Sequence, residues 1–114
     1  MGLDMYFYRN SVSSENQIYY FRKHADFHGF LMKIWCSLNP EKDSDDFNCD
    51  ILEITEEILE QIEKECKNKE HIHYHGFFWG NSYDEDWEMT EKELIPIIRK
   101  EFENGNKVYY TPWW

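Results

Sequence analysis

The chain has 114 residues, the size of one domain, with 41% hydrophobic residues and 8 Phe, 8 Tyr and 5 Trp. That is enough large apolar surface for a folded core and too much for a disordered tail. Lys and Arg number 12 against 23 Asp plus Glu, a formal charge of -11. Such a balance argues against direct binding to nucleic acid or an anionic membrane, since both reward cationic side chains through counterion release.

Leu3 to Arg9 reads as a strand of aromatic and apolar residues with Leu3, Met5 and Phe7 on one face, ended by Ser11-Val12-Ser13-Ser14. From about Gln17 to Leu38 the spacing predicts a helix, because Tyr20, Phe27, Leu31, Ile34, Trp35 and Leu38 recur at intervals of three, four and seven, with His24 and His28 on the same face. Asn39-Pro40 stops it, and Glu41 to Asn48 is an acidic loop. Cys49 to Ile54 forms a short strand, and Thr55 caps a helix with Glu56 and Glu57 in its first turn and Ile58, Leu59, Ile62 and Cys66 as its apolar stripe.

His71 to Trp79 alternates and then turns apolar, the pattern of a central strand; Gly80-Asn81-Ser82 is a turn. Thr90 and Glu93 have the spacing of a capping box ahead of Leu94, Ile97, Ile98 and Phe102, with Pro96 either starting that helix late or kinking it. Asn104-Gly105 terminates it, and Lys107 to Thr111 is the last strand. The expected fold is a single α+β domain over residues 1–114, about four strands and three helices in the order β-α-β-α-β-α-β.

Cys36, Cys49 and Cys66 are odd in number and lack C-x-x-C spacing, which points to reduced thiols rather than a disulfide framework or thiolate zinc. No stretch approaches the roughly 20 apolar residues of a membrane span, and the first residues lack the basic-then-apolar order of a signal peptide. The expected location is the cytoplasm.

Met1-Gly2-Leu3-Asp4-Met5-Tyr6, Tyr20-Phe21-Arg22-Lys23 through His28, Gly76-Phe77-Phe78-Trp79-Gly80 followed by Tyr83-Asp84, and Tyr109-Tyr110 shortly before Trp114 occur in one order along the chain. Together they resemble a family of small, mostly uncharacterised bacteriophage and prophage proteins. The chain departs from that pattern in a shorter link between first strand and first helix, and in Phe77-Phe78-Trp79 where a run of Phe is usual. The resemblance implies a phage accessory product acting on host machinery in the host cytoplasm, and implies no reaction.

Four sets of residues carry candidate chemistry. His71, His73 and His75 alternate on one strand face about 7 Å apart, within reach of zinc or another transition metal if His24 or His28 completes the set; the plainer reading is a half-exposed strand. His28, Arg22 and Asp4, with Lys23 and Asp26 near, would make a general base and an anion clamp if the fold joins them. Asp43, Asp45, Asp46, Glu53, Glu56, Glu57 and Glu60, with Asp84, Glu85, Asp86 and the adjacent Trp87, would present a field that imitates nucleic-acid phosphates to a basic host protein. Asp43-Ser44-Asp45-Asp46 lacks the Gly and distal Glu of a calcium loop, and the Glu and Lys residues of 60–69 at i,i+4 are also what a solvated helix carries. Trp113 and Trp114, with Tyr83, Tyr109 and Tyr110, would be binding anchors if exposed and core if folded back.

The main functional expectation is protein–protein binding, with inhibition of a host nucleic-acid enzyme such as a defence nuclease, in the manner of a DNA mimic or an anti-CRISPR protein. It needs no cofactor. The alternatives are a small metal- or His-dependent enzyme on His28 and His71/His73/His75, and a virion assembly protein that self-associates through its aromatic carboxyl terminus.

Overall fold

The computed structural model describes residues 2–68 and 82–114. Alternation in the first strand sets the architecture: β1 (Asp4–Arg9) and the residue before it turn Leu3, Met5 and Phe7 into the core, each fully buried. Asp4, Tyr6 and Tyr8 consequently project from the opposite face. β1 pairs antiparallel with β2 (Gln17–Arg22) on one side and with β4 (Val108–Trp113) on the other; β4 in turn takes β3 (Leu52–Ile54), giving the order β2-β1-β4-β3.

β2 corrects the sequence reading, which continues a helix through these residues. Gln-Ile-Tyr-Tyr-Phe-Arg is a β-branched and aromatic run, and it alternates, with Phe21 4% exposed and Tyr20 41% exposed. The short connection after β1 contains a one-turn helix (Ser14–Asn16) and returns the chain as a hairpin. Lys23, at φ 59°, then breaks the strand before α1 (Ala25–Leu38) begins. Tyr20 therefore matched the helical spacing without belonging to the helix.

α1 buries Phe27, Leu31 and Trp35, while Leu38 is left 62% exposed at its end. The acidic loop contains a short helix (Ser44–Phe47) that delivers Phe47 to the core, stacked 4.9 Å from Trp35. α2 (Glu56–Lys67) begins as expected: Thr55 Oγ1 accepts the Ile58 N–H at 3.2 Å, and Ile58, Leu59 and Ile62 face inward.

The last helix starts earlier than its spacing predicts. α3 (Asp84–Met89) opens after Tyr83, whose N–H donates to the Asp86 carboxylate at 2.8 Å. Thr90 is no cap: it is fully buried and begins a π-helical turn (Thr90–Leu94) closed by the Ile95 N–H on the Thr90 carbonyl. α4 (Ile95–Glu103) follows directly on the π turn, with Pro96 in its first turn. Gly105 (φ 79°) and Asn106 end α4 by donating to the carbonyls of Phe102 (3.0 Å) and Glu101 (2.9 Å).

α1, α2 and α4 pack their apolar sides on the sheet face that carries Leu3, Met5, Phe7, Val108 and Tyr110. The result is the expected α+β class with four strands, though β2 supplies one of them. The predicted strand His71 to Trp79 lies outside the described residues.

Candidate functional site

The face of the sheet turned away from the core is an aromatic surface. Register places Tyr20, Tyr6 and Thr111 in one row across β2, β1 and β4, and Arg22, Asp4 and Trp113 in the next. Tyr109 lies opposite Tyr8 on one side and Glu53 on the other. The Tyr6 ring is 5.2 Å from Tyr20 and 6.1 Å from Tyr8, so the phenols form a contiguous layer. Trp113 is 62% exposed. Beside it a groove of about 440 Å³ is lined by Tyr6, Tyr8, Val12, Gln17, Thr111 and Trp113, with Cys49 in a left-handed conformation (φ 67°) among its walls.

Tyr20 donates its hydroxyl to Asp4, and partial burial together with that bond pushes the phenol up to about 12. Tyr8 is raised by desolvation too. These hydroxyls are neutral at physiological pH, so the face offers ring surface and hydrogen bonding, with Asp4, Glu53 and Arg22 among its charges.

His28, Arg22 and Asp4 do not meet as a catalytic group. Asp4 and Arg22 pair across strands on the outer face, whereas His28 is fully buried on the helix side. Its Nδ1 is 2.7 Å from the Tyr110 hydroxyl and its ring stacks 5.6 Å from Phe47. Burial lowers its pKa to about 3, which leaves a neutral core imidazole. His24 occupies the position before α1, where both of its ring nitrogens are engaged by Ser82 and Thr90. His71, His73 and His75 lie outside the described residues, and among the described residues no group of three His, Cys, Asp or Glu is placed to hold a metal.

The acidic residues are carried by separate elements. Asp43, Asp45 and Asp46 sit exposed in the loop around the short helix, where Asp46 accepts the Asp43 N–H at 3.2 Å. Glu56 and Glu60 line a groove between α2 and α4 with Arg99 and Glu103, and Glu63 pairs with Arg99. Glu53 and Glu57 border a second groove with the exposed Leu38 and Ile51. Asp84, Glu85 and Asp86 form the first turn of α3, where burial raises Asp86.

Trp87 corrects the reading of an exposed anchor beside these acids. It is 7% exposed, packed 4.7 Å from His24 and 5.8 Å from Phe27. The terminal aromatics divide as strand alternation requires: Tyr110 is fully buried, Trp113 is exposed, and Trp114 is docked by both its N–H (3.0 Å) and its carbonyl (2.8 Å) on Asn48.

Sequence reading missed Tyr6, Tyr8 and Tyr20 as one surface because it placed Tyr20 on a helix. It also treated Ser82 only as a turn residue. The usable signal was the alternation Tyr6/Tyr8 against Met5/Phe7.

No family model, curated protein or solved structure matches the chain. No helix among the described residues is long and apolar enough to cross a membrane.

Proposed function

We propose that the chain is a protein-binding module whose recognition surface is the outer aromatic face of the sheet, and whose partner presents a basic surface. The observation that carries this reading is the contiguous layer of Tyr6, Tyr8 and Tyr20 beside the exposed Trp113. Tyrosine and tryptophan give large, rigid contact area at low entropic cost, which is why they dominate binding hot spots.

Charge selects the partner. An aromatic sheet face also suits the stacking of unpaired bases, but base stackers line their grooves with cations. Here the cation among the described strand residues of the face is Arg22, standing opposite Asp4, and the whole chain carries -11. Guanidinium and ammonium groups are the complementary chemistry, since they stack on aromatic rings and are steered in by an acidic field. Taken with the phage-like sequence pattern, the partner we infer is a host protein that itself handles nucleic acid, such as a defence nuclease, held inactive in the complex.

The test is affinity capture from bacterial lysate by the wild-type chain and by a Tyr20→Ser/Trp113→Ser variant, at low and high salt. The expected result is a basic protein retained by the wild type at low salt, released at high salt and lost by the variant. A partner indifferent to both substitutions moves the interface elsewhere. Capture of further copies of the chain itself supports virion or filament assembly instead.

A further inference from the structure

We propose that Ser82 is a nucleophile activated by His24, forming a site for acyl esters on the helix side of the sheet, independent of the binding face. Ser82 Oγ lies 2.6 Å from His24 Nδ1, and His24 Nε2 lies 3.1 Å from Thr90 Oγ1. The proton positions follow from the partners. Thr90 donates its one hydroxyl proton to the Asp86 carbonyl at 2.8 Å, so toward His24 it can only accept. In its neutral form the imidazole therefore carries its proton on Nε2 and offers the Nδ1 lone pair to the Ser82 hydroxyl. This is the order nucleophile, base, orienting group that general-base activation of a serine requires.

The surroundings suit the task. His24 is fully buried and walled by Phe21 (5.1 Å), Phe27 (5.2 Å) and Trp87 (4.7 Å), which fix the ring's rotation, while Ser82 is only half-buried. Ser82 Oγ also accepts the Asp26 N–H at 2.9 Å, in the first turn of the 14-residue α1, so the positive end of the helix favours negative charge on that oxygen. Capping the helix would need the oxygen only as an acceptor; the hydroxyl proton directed at a held imidazole is an addition that capping does not require.

In the proposed step Ser82 Oγ forms a bond to the ester carbonyl carbon as its proton passes to His24 Nδ1. The tetrahedral adduct collapses with cleavage of the bond to the leaving oxygen, which takes that proton and departs as the alcohol. Water then attacks the acyl-serine with the same base, releasing the acid and restoring the hydroxyl.

The experiment treats the full-length folded chain with 4-nitrophenyl acetate and follows nitrophenolate release together with intact mass and peptide mapping. The expected result is a burst of about one equivalent per chain and an acetyl group mapped to Ser82. Ser82→Ala should abolish both, and His24→Gln should slow acylation by roughly 10²–10⁴-fold. Absence of an adduct, an adduct mapped to another residue, or equal labelling of Ser82 in the urea-unfolded chain overturns the proposal and leaves Ser82 as a helix cap. Mapping of the wild-type adduct decides the matter even if Ser82→Ala fails to fold.

Discussion

His28 is a histidine that the fold keeps neutral. With its pKa lowered from 6.5 to about 3 by burial, the unfolded chain binds the proton that the native chain excludes. Its contribution to stability is complete above pH 6.5 and is lost as pH falls toward 3, at about 1.4 kcal/mol per pH unit. Urea denaturation at pH 7 and pH 5 should therefore show a drop of about 2 kcal/mol from this group. The variant His28→Phe/Tyr110→Phe removes the titrating ring and its hydroxyl partner together and should lose most of that difference; an unchanged drop would place the acid sensitivity elsewhere. Here the sequence was legible only in part, because a histidine in an apolar stripe can be a satisfied core residue or a base. Its spatial neighbours decide which, and Tyr110 is 82 residues away in the chain.

Among the elements, the Thr55 cap and the stops of α1 and α4 were the most readable features. Thr55 was identified as a cap from its place before Glu56 and Glu57, and Thr55→Ala should cost about 1 kcal/mol in chemical denaturation. Gly105 holds φ 79° at the close of α4, so Gly105→Ala should cost about 1 kcal/mol, although a Cβ there would meet no neighbour within 4 Å. Conformation and not crowding is the cause, and Gly105→Asn, which tolerates the left-handed region, should recover part of the loss. β2 and the π turn were not readable in the same way. Residues 17–22 become a strand because β1 offers a partner, a tertiary condition that overrides a fortuitous helical spacing. Thr90 has the residue type and spacing of a cap, yet its hydroxyl is committed to the Asp86 carbonyl inside a continuous helical segment.

At the scale of the whole molecule, the two sheet faces separate the core from the proposed recognition surface. One face and the helices hold the core; the other leaves Tyr20 41% and Trp113 62% exposed. Tyr20→Ser/Trp113→Ser should consequently change thermal stability by no more than a few degrees while removing partner capture. A large fall in Tm would show that the outer layer is structural. Charge should act differently from ring area. Glu53→Lys, an exposed reversal opposite Tyr109, should slow association with a basic partner and weaken its salt dependence, measured by surface plasmon resonance, with little effect on unfolding.

Composition and local pattern by themselves determined the single α+β domain, the acidic excess, the inward face of β1, the Thr55 cap of α2 and the stops of α1 and α4. Each depends on neighbours within a few residues or on sums over the chain, so it survives without knowledge of contacts. Only the tertiary structure decided which faces of the elements meet. It buried Trp87, parted His28 from Asp4 and Arg22, joined Tyr6 to Tyr20, and brought Ser82 to His24 across 58 residues. Those outcomes rest on strand pairing and helix packing between distant segments, and sequence spacing carries no record of them.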